Sequence, residues 1–140
     1  MRAERPQPAR PRRRGGPLAA GGSRGPRLPG ILPLAGGVLS DRYLDVAAPP
    51  PGSRIATAGE RYYRGSYSAD NLARVARLRD LARDNGFSTA GLALAWLRAL
   101  PGVSAPIVSP STEAQWQAVR EAWEHNLDDG VLATVSDLFR

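Results

Sequence analysis

The fold of this chain is decided by residues 88–108, which read STAGLALAWLRALPGVSAPIV. Ser88 is a favourable N-cap residue, and the apolar side chains after it cover nearly the whole circumference of a helix. We therefore predict a buried helix from Ser88 to Leu100, ended by the Pro-Gly pair at residues 101–102. The apolar residues 105–108 predict a short inner strand, despite Pro106.

Similar signals recur on both sides of this stretch. The apolar run 31–37, closed by two glycines, predicts a buried strand that leads into a loop extending to about Tyr67. Ser68 caps a predicted amphipathic helix ending at residues 85–86, and further helices are predicted over 112–124 and 128–138. Strands that alternate with helices predict a parallel α/β sheet with ligands at the carboxyl ends of its strands. Since two strands cannot cover both edges of a sheet, we expect part of a domain.

Composition excludes several classes of chemistry. All 19 cationic side chains are arginines, so lysine Schiff bases, lysine-assisted proton transfer and P-loop lysines are excluded. The absence of cysteine excludes disulfides, thiolate zinc sites and cysteine nucleophiles, and the single histidine, His125, excludes a multi-histidine metal site. No apolar run approaches the length of a membrane span, and no export signal is evident, so we expect a cytoplasmic protein without membrane contact.

Charge is distributed very unevenly between the N-terminal 30 residues and the rest. Residues 1–30 contain eight arginines and one acid, in a sequence of mainly Pro, Gly and Ala, which predicts a disordered tail. Residues 31–140, which contain 11 arginines and 12 acids, are nearly neutral. The tail has two interpretations: a genuine basic extension, or the product of a misassigned start or reading frame.

Four segments resemble the aldo-keto reductase family. They are PLAGGVLSDRY at 33–43, PPGSR at 50–54, LALAWL at 92–97 and PIVSPSTEAQ at 106–115. The resemblance implies an NADP(H)-dependent carbonyl reductase, with this chain as the C-terminal portion of a (β/α)8 TIM barrel. The expected fold class is therefore α/β, incomplete and mostly helical: a tail over 1–30, then strands seven and eight with their loops and helices over 31–140.

The resemblance assigns cofactor contacts to the first of these segments and to the loop after it. Leu34, Ala35 and Gly36 match the loop whose backbone N–H groups approach the cofactor pyrophosphate. Glycine suits that approach because a side chain would obstruct it. Arg42 and Arg54 match positions that reach phosphate groups. The alternatives are an ordinary strand-to-loop turn and two solvated arginines.

The resemblance also assigns cofactor contacts beside the helix predicted over 112–124. Ser109 and Ser111 lie at positions beside the cofactor, where Ser109 replaces the glycine common in the family and Ser111 faces the 2′-phosphate of NADP, and Gln115 matches an adenine contact. Helix capping by Ser111 and a solvent-facing Gln115 are the alternatives. Ala118 and Val119 replace the Glu and Asn that the family commonly uses on adenine.

No catalytic and no metal-binding residue is assigned. The family's Asp, Tyr, Lys and His lie on earlier strands, and the tyrosines at 43, 62, 63 and 67 have no lysine partner. We expect no activity from this chain alone, with NADP and a carbonyl substrate bound only in a complete barrel. The alternative function is a nucleic-acid-binding module whose arginine-rich tail gives weak, salt-sensitive binding. The three tryptophans, at 96, 116 and 123, are interpreted as packing residues rather than as a base-stacking surface.

Overall fold

Five α-helices make up most of the regular structure in the part of the chain that the structure describes. The computed structural model describes residues 33–63, 65–101, 103 and 105–140. Its helices are α1 Arg54–Tyr62, α2 Ala69–Asp84, α3 Thr89–Ala99, α4 Glu113–Glu124 and α5 Asp129–Leu138. Two short 3-10 turns, Ala35–Gly37 and Asp41–Tyr43, precede them.

Local capping fixes where four of these helices begin. In each, the hydroxyl group of a Ser or Thr accepts a hydrogen bond from the backbone N–H three residues later, which satisfies one of the free donors of the first turn. The caps are Ser53, Ser68, Ser88 and Thr112, with distances of 3.0–3.3 Å. The predicted caps Ser68 and Ser88 are confirmed, and helices α2 to α5 begin and end within a residue or two of the predicted bounds.

Helix α3 is the centre of the molecule, as its sequence predicts. Residues 91–97 are all buried, and α3 packs against α2, α4 and α5. Trp96 joins it to α5, because its indole Nε1–H donates to Ser136 Oγ at 2.9 Å. A buried indole without an acceptor would be costly, so this bond fixes the position of α5 on the core.

The two predicted strands are corrected by the structure. Residues 33–37 form turns in which the carbonyl of Leu34 accepts bonds from the N–H groups of Gly37 and Leu39, at 2.8 and 3.2 Å. Ile31 and Leu32 lie outside the described residues. Residues 105–108 also form no strand, because a strand requires a neighbour to pair with and none is present among the described residues. The described part of the chain is thus helical, and the predicted parallel sheet is absent from it.

The prediction of a continuous loop from residue 37 to about Tyr67 was wrong for residues 54–62. Residues 54–62 form α1, which packs against the turn at residues 35–37 through Ile55 and Tyr63. The sequence conceals this helix because, among its residues whose burial is described, only Ile55 and Ala58 join the hydrophobic core, and because it contains Gly59, a poor helix former.

The tryptophans differ from one another in burial. Trp96 is buried in the core, as predicted, whereas Trp116 and Trp123 on α4 remain 49% and 46% exposed. The guanidinium group of Arg98 lies 5.8 Å from the ring centroid of Trp123 and donates to the backbone carbonyl of His125. This contact fixes the C-terminal end of α4 against α3.

Candidate functional site

The loop formed by Leu34, Ala35, Gly36 and Gly37 has an uncommon backbone conformation. Leu34 lies near the bridge region, with φ −112° and ψ 15°, while the next three residues have φ values of 47°, 71° and 94°. Ala35 is a non-glycine residue in the left-handed region. This conformation costs about 1 kcal/mol or more, and it persists only where surrounding contacts compensate for that cost. Within this loop the sign of φ reverses once, between Leu34 and Ala35. Such a reversal directs the backbone N–H groups of adjacent residues toward one side, a geometry that suits an anion. The predicted pyrophosphate contacts, Leu34, Ala35 and Gly36, are the residues that form this loop.

Gly36 is a glycine for a reason that the sequence does not reveal. A Cβ atom at Gly36 would lie 2.8 Å from Cε1 of Tyr63, closer than real side chains approach. The space on this side of the loop is therefore filled by an aromatic ring. The conformation and the close packing both require glycine at this position.

The two arginines assigned to phosphate contacts are both exposed. Arg42 lies in the Asp41–Tyr43 turn, where its backbone N–H donates to Ser40 Oγ at 3.4 Å. Arg54 is the first residue of α1, directly after the buried cap Ser53. Neither side chain forms an ion pair with another described residue.

The N-terminus of α4 brings two of the predicted contacts together. Oε1 of Gln115 accepts a hydrogen bond from the backbone N–H of Ser111 at 2.7 Å and one from Ser111 Oγ at 3.2 Å. Thr112, rather than Ser111, caps the helix. Ser109 is exposed and lies two residues before this pair. The alternative that Ser111 caps the helix is therefore wrong, because Thr112 is the cap and Ser111 is instead held by the side chain of Gln115.

A small apolar cluster connects the loop at residue 34 with α4. Leu34 packs against Leu94, Ala95 and Ala122, together with Val108 and Val119. Val108 immediately precedes Ser109, and Val119 lies one helical turn after Gln115. The two predicted halves of the cofactor site therefore lie around one shared set of side chains.

Sequence reasoning missed the aromatic residues behind the loop. The hydroxyl group of Tyr43, which is 1% exposed, donates to the carbonyl oxygen of Gly36 at 3.2 Å. Tyr63 is 5% exposed and lies against Gly36. The clustering of four tyrosines within residues 43–67 was the available signal, but their contacts depend on where α1 places Tyr63.

The part of the chain that the structure describes contains no candidate metal site and no candidate membrane span. It contains no group of three or more His, Cys, Asp or Glu side chains able to hold a metal ion. No helix among the described residues has the length and apolar character needed to cross a membrane.

A family model and a curated protein both match this chain. Residues 23–139 match the model of the aldo/keto reductase family. The chain is also 33% identical over 107 residues to a Bacillus subtilis (strain 168) protein described as "Uncharacterized oxidoreductase YrpG". That alignment covers 76% of this chain but 30% of the relative, so the chain spans less than a third of the length of the curated relative that it matches.

Proposed function

We propose that this chain, which belongs to the aldo/keto reductase family, contributes the NADP(H)-binding surface of an oxidoreductase that acts on carbonyl compounds. The observation that carries the proposal is the loop at residues 34–36. The sign of φ reverses between Leu34 and Ala35, a backbone arrangement suited to an anion, and Leu34 packs on the same apolar cluster as α4.

The residues present fit an anionic dinucleotide. In the proposal, the loop at 34–36 binds the pyrophosphate through its backbone. Ser111 and Gln115 at the N-terminus of α4 bind the adenosine end, where the helix dipole favours a phosphate group. Arg42 and Arg54 are exposed cations free to turn toward phosphate oxygens. Ser109 contributes to the same edge. The bound cofactor would supply the hydride.

The proton-transfer groups of the reaction are proposed to lie outside this chain, in the remainder of a (β/α)8 barrel. The burial of Tyr43 supports this proposal, because its hydroxyl group is bonded to the carbonyl oxygen of Gly36. The sequence contains no lysine that could assist a tyrosine in proton transfer. The carbonyl substrate is accordingly expected to bind only where those groups are present.

A binding experiment tests the cofactor assignment. In contrast to the sequence-based expectation that NADP binds only in a complete barrel, the proposal requires the purified chain to bind NADPH by itself, because all the proposed contacts lie within it. NADPH fluorescence titrations should therefore show saturable binding, and Ser111→Glu should weaken it about tenfold, because a carboxylate would face the 2′-phosphate. The loss should be smaller for NADH, which lacks that phosphate. Thr134→Glu places the same charge on the exposed face of α5 and serves as the control. Equal effects of the two variants, or no binding by the unmodified chain, would contradict the assignment.

A turnover experiment tests the second part of the proposal. The purified chain mixed with NADPH and a small aldehyde or ketone should oxidise no NADPH above background. Clear turnover that tracks the protein through purification would show that this chain contains its own proton donor.

A further inference from the structure

Two tyrosines contact the 34–37 loop at its two glycines. A Cβ atom at Gly37 would lie 3.4 Å from Cε2 of Tyr43. The hydroxyl group of Tyr43 donates a hydrogen bond to the carbonyl oxygen of Gly36. Tyr63 lies against Gly36. The two rings come from different elements, the turn at 41–43 and the end of α1, so the loop is fixed by tertiary packing.

Each tyrosine is itself held firmly. Tyr43 meets the ring of Tyr67 edge-on, with centroids 5.8 Å apart and planes inclined at 72°, a favourable aromatic arrangement. Tyr63 ends α1, its N–H bonded to the carbonyl of Gly59 at 2.8 Å and its own carbonyl accepting from Ser66 at 2.8 Å. The Tyr43 ring cannot leave the loop without losing its contact with Tyr67, and the backbone bonds of Tyr63 fix the position from which its ring extends.

The strained backbone of the loop needs such support. Ala35 at φ 47° relaxes to a right-handed or extended conformation unless neighbouring atoms prevent it. The bond from Tyr43 fixes the plane of the peptide group between Gly36 and Gly37, and the Tyr63 ring fixes the position of the Gly36 Cα atom. Together they keep residues 34–36 in the conformation that directs the backbone N–H groups of adjacent residues toward one side.

We infer that Tyr43 and Tyr63 are positioning residues that preorganise the 34–36 loop for the pyrophosphate of the dinucleotide. This inference rests on the proposed function for its ligand. It extends that function, because it assigns the shape of the phosphate site to two buried side chains that do not contact the cofactor.

The first test removes one hydroxyl group at a time. Tyr43→Phe should weaken the binding of NADPH and of inorganic pyrophosphate about fivefold, the effect of one lost neutral hydrogen bond. Tyr67→Phe is the matched control, since it removes a hydroxyl group from the adjoining ring without touching the loop, and its dissociation constants should stay within about twofold. Both variants are measured at a temperature at which circular dichroism shows them fully folded. Equal binding by Tyr43→Phe and the unmodified chain, or equal losses in both variants, would overturn the inference.

The second test follows the loop itself. The N–H groups of Gly37 and Leu39 both donate to the carbonyl of Leu34, so their hydrogen exchange reports on loop opening. Tyr43→Phe should accelerate exchange at these two amides about fivefold. The amide of Leu92, bonded to Ser88 in α3, should be unchanged. If the unmodified chain bound neither NADPH nor pyrophosphate, the proposed function would fail, while unchanged exchange at Gly37 and Leu39 would refute the positioning role independently.

The third test uses Tyr63 and remains decisive if Tyr43→Phe does not fold. Tyr63→Phe keeps the ring against Gly36 and should retain NADPH and pyrophosphate affinity. Tyr63→Leu removes the flat ring and should weaken both, with faster exchange at Gly37. Equal affinity in the two variants would overturn the role of the ring.

Discussion

At the scale of single residues, the candidate site depends on backbone conformations that most side chains do not tolerate. Gly36 and Gly52 both have positive φ, 71° and 75°, but a Cβ atom at Gly52 would meet nothing within 4 Å. Comparing the two positions therefore separates the free-energy cost of a positive φ from the free-energy cost of a side-chain contact with Tyr63. Only Gly36 adds a collision, with the ring of Tyr63.

Alanine substitutions at these glycines should have unequal effects on stability. Gly52→Ala should lower the free energy of unfolding by about 1 kcal/mol, the cost of a left-handed non-glycine residue. Gly36→Ala should lower it by about 2–4 kcal/mol, because displacement of the Tyr63 ring adds to that cost. Urea unfolding followed by circular dichroism measures both. Equal losses would mean that the Tyr63 ring moves aside freely, contrary to the packing described.

At the scale of elements, one carboxylate connects α4 to the start of α3. Oε2 of Glu121 accepts from the backbone N–H of Ser88 at 2.8 Å and from Ser88 Oγ at 2.6 Å. Gly91 leaves room for this carboxylate, since a Cβ atom there would collide with it. A negative charge at the N-terminus of α3 is also favoured by the helix dipole. Glu121 therefore aligns the helix that supplies Gln115 with the central helix.

Removal of this carboxylate should loosen α4. Glu121→Ala should lower the free energy of unfolding by about 2 kcal/mol, because a charge-assisted hydrogen bond to a partly buried backbone donor is lost. Glu124→Ala is the matched control. Glu124 is exposed at the last residue of α4, where an acidic side chain opposes the dipole, so its removal should be neutral or slightly stabilising. Denaturant unfolding compares the two, and similar losses would contradict the role of Glu121.

The segment after α3 shows how much of a strand is encoded locally. Pro106 is buried, whereas Ile107 is 76% exposed and Ser109 is exposed, a near-alternation with the period of a strand. Pro106 and Pro110 lack a backbone N–H group, and both would face the same edge of a strand. The backbone N–H groups of residues 105, 107 and 109 would face the other edge. The sequence thus encodes a strand-like alternation, but a sheet needs a second strand, and the described residues contain none.

At the scale of the whole molecule, the charge is concentrated at one end of the sequence. The strongly basic residues 1–30 precede a nearly neutral remainder, and their predicted disorder lies outside the described residues. The same holds for the prediction that they bind nucleic acid. Residues 33–140 carry the proposed dinucleotide site, so the two binding activities can be separated by deletion.

The alternative function in nucleic-acid binding has a clear signature. If residues 1–30 bind single-stranded RNA or DNA, the affinity should fall steeply with salt, with a log–log slope of about −0.7 for each phosphate contacted. Deletion of residues 1–30 should abolish this binding and leave NADPH affinity unchanged. Filter binding across a salt series measures it. Binding that survives the deletion, or that does not depend on salt, would contradict a role for the tail.

The sequence by itself determined the helices with strong local signals. Ser68 and Ser88 are caps that act within one turn, and the continuous apolar composition of residues 91–97 requires burial in any fold, so α2 and α3 were predicted correctly. The eight proposed cofactor contacts also came from the sequence, through its resemblance to the family, and they stay predictions.

Tertiary structure alone decided the features that join distant parts of the chain. Helix α1 has a local cap, Ser53, but little apolar surface of its own, and it is stabilised by packing on the 35–37 turn, so the cap alone did not predict it. The contacts of Tyr43 and Tyr63 with Gly36, and of Glu121 with Ser88, bring together residues separated by 7 to 33 positions. Such contacts depend on the path of the chain in space, because the free energy that stabilises them comes from burial and hydrogen bonding between elements rather than within them.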